Sequence, residues 1–183
     1  GEVKPGDIKY VDMNNDGKID DTDRVFLGRW DTPFRMGLNL TAKWKNFTFF
    51  AMGNLWLGGH GMKDNSYWWV RGSGKYSEVV RNAWTPETAA TATYPRLTTT
   101  NGDNNFRSSD FWMYSTDRFN LSRVQISYAL PSNLFEGTFV RGIDVYVGGS
   151  NLLTIAKERK ILETNIGAAP SMRSYNIGFR ASF

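Results

Sequence analysis

The sequence predicts an all-β chain: about five antiparallel strands from the wall of a transmembrane β-barrel, with long loops at one end. Three observations point there. Apolar and polar residues alternate with period two over segments of roughly nine to twelve residues, the length a tilted strand needs to cross a bilayer. Connections alternate between brief ("KN" at 45–46, "PSN" at 131–133) and extended (58–117 and 151–171). Aromatic residues gather at the short-turn ends: Trp44 and Phe47 at one, Tyr128 and Phe139 around the next, and Phe183 at the terminus. A soluble antiparallel sheet with one wet face is the competing explanation. Gly37 and Gly178 on the polar face favour a barrel wall over a packed soluble core.

Residues 1–33 form a loop built around "DMNNDGKIDDTD" at 12–23. Like charges repel, so this many carboxylates call for a cation. Asp12, Asn14 and Asp16 fall at positions 1, 3 and 5 of a calcium loop, with Gly17 at the sharp turn of position 6. Lys18 offers its backbone carbonyl at 7, and Asp20 and Asp23 stand at 9 and 12. The loop departs from an EF-hand in two ways. It ends in Asp rather than Glu, so it looks more like the loops of dockerins and other extracellular calcium modules. Its flanks, "GDIKYV" and "RVFLGRW", read as extended rather than helical. A solvated acidic turn is the alternative, since Asn, Asp and Gly favour turns unaided.

Residues 34–57 read as a long hairpin. In "FRMGLNLTAKW" Phe34, Met36, Leu38, Leu40, Ala42 and Trp44 share one face; after "KN", "FTFFAMGNLWL" returns with Phe47, Phe49, Ala51, Gly53, Leu55 and Leu57. Residues 58–117 lose the alternation but carry too many aromatics for disorder, and "SEVVRNAW" reads as a short helical stretch. Residues 118–150 hold two more strands, "FNLSRVQISYAL" with a bulge near Ser122 and Arg123, and "FVRGIDVYVGGS". Residues 151–171 read as an irregular loop, and 172–183 as a final strand in which Tyr175, Ile177, Phe179, Ala181 and Phe183 share a face. Five strands cannot enclose a lumen, and an open sheet would leave unpaired edges in lipid. The rest of the wall is therefore expected from upstream in the same precursor or from another chain. The start at Gly1 rather than Met fits processing or truncation.

Composition excludes several function classes. The net charge of +4 is modest and, apart from "KERK" at 157–160, scattered, so no nucleic-acid partner is expected. Cysteine is absent, and no apolar run is long enough for a transmembrane helix. His60 in "GGHG" is the one histidine, which rules out a histidine-based triad within the chain. Asp110, Asp117 and Glu136 are carboxylates with nothing to fix their separation, so no enzyme is predicted. Binding has more support. Trp68, Trp69, Trp84, Tyr94, Phe106, Phe111 and Trp112 crowd a loop otherwise rich in Asn, Asp and Arg, a composition that suits stacking on sugar rings. The competing reading is that these aromatics hold the long loop together or contact a lid protein.

With these residues assembled, the sequence resembles the C-terminal end of the SusC/RagA family of TonB-dependent outer-membrane transporters. The stretches that carry it are "GDIKYVDMNNDGKIDDTDR", "RNAWTPE", "YPRL", "NNFRSSDFWMYS", "RFNLSRVQISYALPSNL", "VRGIDVYVGGSNLLT" and "SYNIGFRASF", collinear over essentially the whole chain. The resemblance implies a 22-stranded barrel of the bacterial outer membrane, of which this chain supplies the last five strands or so. It also implies a SusD-like surface lipoprotein as a lid, and import of oligosaccharides or oligopeptides driven by TonB. The plug and TonB box of such a protein lie outside this sequence. Phe183 matches the aromatic terminal residue used for membrane insertion. With Phe183 periplasmic, 1–33, 58–117 and 151–171 become extracellular, and the calcium loop faces the outer medium. The remaining alternative is a soluble, secreted, calcium-stabilised carbohydrate-binding β module.

Overall fold

The computed structural model describes residues 3–72, 77–99 and 103–183. The parts of the predicted loops at 1–2, 73–76 and 100–102 lie outside the described residues. The chain folds as two compact units, one made of Gly1–Gly28 with Gly61–Tyr114, the other of Arg29–His60 with Ser115–Phe183. Its strands are β1 (Phe34–Trp44), β2 (Phe47–Leu57), β3 (His60–Met62), β4 (Met113–Ser115), β5 (Arg118–Ala129), β6 (Gly142–Ile155) and β7 (Ser174–Ser182). One short helix, α1, covers Arg159–Thr164. Among the described residues no helix is long and apolar enough to cross a membrane, a statement that bears on helices alone.

The second unit is a five-stranded antiparallel meander in the order β1-β2-β5-β6-β7. Period-two patterning fixes its register, since a slip of one residue would turn every apolar side chain to the wrong face. The hairpin forms as predicted, with Trp44 opposite Phe47 and Phe34 opposite Leu57. Lys45 takes a positive φ of 51° in the turn, and the Asn46 side-chain amide donates to the Ala129 carbonyl, tying the turn to β5. One face gathers Leu38, Gly53, Leu121, Leu153 and Ile177 with their neighbours two residues away; the other gathers Asn39, Met52, Arg123, Ser150 and Asn176 with theirs.

Many side chains of the apolar face stand exposed. Leu40, Val147, Phe179 and Ile177 are exposed, Ile177 to 86%. Among the described residues the buried apolar side chains (Val70, Ala83, Tyr94, Phe106 and Trp112) all belong to the other unit. Leaving a Leu or Ile in water rather than burying it forgoes about 1.5–3 kcal/mol, so a whole face of them requires an apolar neighbour. At the short-turn end the rings cluster as predicted: Trp44 stacks on Phe47 at 6.3 Å, Phe47 meets Tyr128 at 4.7 Å, and Phe139 stacks on Phe183 at 5.6 Å.

Two boundaries differ from the sequence reading, and one cause links much of the difference. β6 continues to Ile155, so the connection expected at 151–171 starts five residues later than predicted and contains α1. Pairing slips between Leu121 and Arg123 on β5 and between Ser150 and Leu153 on β6. Ser122 is the extra residue predicted as a bulge; opposite it, Asn151 adopts a left-handed φ of 54°. That bulge breaks the alternation at 151–152 and hides the end of β6 from a period-two search. The connection between β5 and β6 is also longer than "PSN", holding a 3-10 turn at Ser132–Phe135. The helical stretch expected in "SEVVRNAW" appears as a 3-10 turn, Glu78–Asn82.

Candidate functional site

The functional groups of the first unit fall into an acidic loop and an aromatic cluster with a cleft beside it. In the acidic loop the backbone winds around its own carboxylates. Asp12 accepts the Gly17 N–H at 2.8 Å and the Asp16 N–H at 3.3 Å, and Asp16 accepts the Lys18 N–H at 2.8 Å. Asp23 accepts the N–H groups of Met13 and Asp20, each at 2.8 Å, so the last acidic residue closes the loop onto its start. Asp20 accepts the backbone N–H and hydroxyl of Thr22, which hold its carboxyl below the usual carboxylate range. Gly17 turns at φ +80° with open space where a Cβ would stand, and Asn15 also takes a left-handed φ.

Asp12, Asn14, Asp16, Asp20 and Asp23, with the Lys18 carbonyl, make an all-oxygen donor set on one wound loop, which suits a hard cation. The side chains have not converged on a point. Among the described residues no three acidic or histidine groups stand close enough together to hold a metal ion. The Asn14 amide instead donates to Asp16 and Thr22.

The aromatic cluster centres on Trp112, which is 2% exposed. Phe111, Tyr94, Phe106 and Trp69 surround it at ring distances of 4.9, 5.6, 6.0 and 6.2 Å. Two polar tips are satisfied within the cluster: the Trp112 indole donates to the Asn105 carbonyl at 2.8 Å, and the Tyr94 hydroxyl donates to the Trp68 carbonyl at 2.7 Å, whereas the buried Trp69 indole N–H has no partner among the described residues. Burial pushes the Tyr94 phenol pKa up. The Arg71 guanidinium lies over Trp69 and Phe106 and donates to the Phe106 carbonyl. Of the aromatics proposed to bind a ligand, Tyr94, Phe106 and Trp112 are therefore core residues with covered rings, and Trp68 and Trp69 pack half-buried against them. This corrects the ligand-stacking expectation for the three buried rings.

Trp84 is different. Its indole lies across Gly6, where any Cβ would collide with it and where φ is +87°, so glycine is required. Beside it opens a cleft of about 470 Å³, lined by Ile8, Lys9, Trp84, Pro95, Asp110 and Phe111 among others. The cleft is framed by a polar knot with no local sequence signal. Asp7, almost wholly buried, meets Arg96 at 2.7 Å and accepts from the Asn105 amide at 2.8 Å. Asn105 also accepts the Ile8 N–H at 2.8 Å. Burial works to raise the Asp7 carboxyl pKa, but the Lys4 N–H, Arg96 and Asn105 hold it below the ordinary value.

No acid–base or nucleophilic pair assembles from the carboxylates considered. Asp117 accepts the Gly58 N–H at 2.6 Å, Asp110 lines the cleft, and Glu136 is exposed next to the 3-10 turn after β5. The His60 backbone N–H donates to the Arg29 carbonyl.

No family model matches the chain. Two curated proteins of Formosa agariphila do. The TonB-dependent receptor P3 is 24% identical across 100% of this chain, and the TonB-dependent receptor P26 is 27% identical across 97% of it. The chain spans about a fifth of the length of each, 20% in both cases. Among solved structures, the RagAB peptide importer in its closed-closed state superposes with a TM-score of 0.64 at 22% identity, over 92% of this chain and 20% of that one. The open-open state gives 0.59 at 23% identity, over 84% and 17%. These relatives are receptors and a transporter rather than enzymes. Motifs, sheet register and these likenesses agree: over nearly its whole length the chain is similar to about a fifth of TonB-dependent receptors, which are outer-membrane proteins, and it shares the fold of part of the RagAB importer.

Proposed function

We propose that the chain is the closing part of the wall of a 22-stranded importer, carrying oligosaccharides or oligopeptides inward beneath a SusD-like surface lipoprotein. One observation carries this reading: a sheet of strands nine to fourteen residues long, with many exposed apolar side chains on one face and polar ones on the other. β1 and β7 lie at the two edges of that sheet, where neighbouring strands of a longer chain would pair. The polar face lines the lumen, the first unit stands in the outer loops, and the plug and TonB contact come from elsewhere in the precursor. Removing the coding region for β7 from the full-length gene tests it. The expected result is loss of heat-modifiable barrel and of nutrient-dependent growth; a barrel that still assembles contradicts it.

We also propose that 12–23 binds calcium through Asp12, Asn14, Asp16, Asp20, Asp23 and the Lys18 carbonyl, as a structural ion. The pre-wound backbone and all-oxygen donor set support this. A chelator should increase proteolytic nicking near residues 10–25, with added calcium reversing it. Nicking indifferent to both would leave the loop a self-bonded acidic turn. Within the first unit, Trp84 and Phe111 are the aromatic faces best placed to touch a solute or the lid, because both line the cleft.

A further inference from the structure

The polar face of the sheet carries a one-sided charge. Six charged side chains occur in β1, β2, β5, β6 and β7, and all six fall on that face: Arg35, Lys43, Arg118, Arg123, Asp144 and Arg180. Five are cations. The single acid, Asp144, is directly opposite Arg180 across β6 and β7, so that pair balances itself. Arg35, Lys43 and Arg123 have neutral cross-strand neighbours in the register. Arg35 and Arg118 both flank Trp56, Arg123 lies between Met52 and Ser150, and Lys43 faces Thr48. The Arg118 guanidinium sits 4.3 Å over the Trp56 ring, which anchors it facing that side of the sheet.

Their spacing is regular. Along β1 the row of Arg35 and Arg118, the row of Arg123 and the row of Lys43 are successively four residues apart, or roughly 13 Å at the rise of a strand. An ordinary wet sheet face mixes signs, because like charges raise the energy of the wall. A one-sign stripe in a cleft with low-dielectric walls concentrates counter-ions along its length. We infer that this stripe is a track for an anionic oligomer, a solute bearing carboxylate or sulfate groups along its chain. The inference rests on the importer reading and names the chemical class of its cargo.

The test uses the full-length transporter, purified with its lipoprotein partner, and the triple variant Arg35→Gln, Lys43→Gln, Arg123→Gln. Arg118 is left in place because its packing on Trp56 is structural as well as electrostatic. The probes are oligogalacturonate, a sulfated galactan oligosaccharide, oligoglutamate and a neutral galactan oligosaccharide, titrated calorimetrically at low and physiological salt. At least one anionic probe should bind about tenfold tighter than the neutral one. The triple variant should lose about tenfold in that affinity, with a shallower salt dependence and unchanged affinity for the neutral probe. Which anionic probe binds distinguishes a glycan from a peptide source. Tightest binding of the neutral probe, no binding of any anionic probe, or an unaltered variant overturns the inference. So does a variant that keeps its anion affinity but leaks ions with no solute present, since the stripe would then be holding the plug. Barrel assembly is scored separately by heat-modifiable migration: a wild type that fails there fails the importer reading, not this one alone.

Discussion

Trp112 has four aromatic rings within 6.2 Å and gives its one N–H to the Asn105 carbonyl, whereas Trp84 lies at the edge of a cleft with part of its ring open. Two tryptophans from the same loop thus differ in what their removal costs. Trp112→Ala should destabilise the first unit by about 3–5 kcal/mol, measured by hydrogen exchange or denaturant unfolding of the assembled protein. Trp84→Ala should cost clearly less and show instead in ligand or lid affinity. Equal stability losses would contradict this division. Asp7 supplies a pH test. Its folded pKa is depressed, so its contribution is complete well above the unfolded carboxyl value of about 3.9 and disappears as pH falls through the lower folded value. The first unit should therefore hold its stability from neutral pH down to about pH 5 and lose it in the acid range below. Asp7→Asn should remove that acid sensitivity and, by stranding Arg96, cost about 3 kcal/mol at pH 7. An unchanged acid limb in the variant would show that other groups govern it. These residues were the least legible in the sequence. Asp7 reaches Arg96 and Asn105 across some ninety residues with no period to announce it, and aromatic abundance says only that rings are present. Burial then separates three core rings from the cleft-side Trp84.

At the level of strands the sequence was nearly sufficient. Each side chain alternates faces, and only one register places Leu38 beside Gly53, Leu121 and their row. The same logic predicts opposite outcomes for adjacent residues. Leu38→Arg places a charge on the apolar face and should cost about 2–4 kcal/mol near mid-membrane. Asn39→Arg, one residue on, should cost little because its side chain joins the polar wall. Folding titrations in lipid vesicles check both, and similar penalties would mean that the faces are not what the register implies. Alternation failed at 150–155, where Asn151 and Leu152 bulge against Ser122. There the polar network takes over. Asn54 donates to Ser122, Ser122 donates to Asn120, and Asn120 donates to Thr154, so side-chain hydrogen bonds stabilise a backbone that periodicity cannot foresee. The glycine on the polar face at 178 has a similarly local reason, since the Tyr146 ring lies over it and a Cβ would press on the phenol.

Across the whole molecule the two units divide the work of the sequence. The loop unit buries its aromatics in a small core of its own, while the sheet unit contributes no buried apolar side chain among the described residues. A sheet of this length without a core is consistent only with a partner that is itself apolar and extended, and the outer membrane supplies one. Spin-label accessibility tests that point most directly. The chain has no cysteine, so single cysteines at 38, 39, 176 and 177 in the full-length protein introduce one label at a time within this segment. In lipid vesicles, labels at 38 and 177 should relax with oxygen and ignore a water-soluble nickel chelate, while 39 and 176 should not follow that pattern. If 38 and 177 respond to the nickel chelate, or are shielded from both reagents by protein, the apolar face does not meet lipid and the account fails.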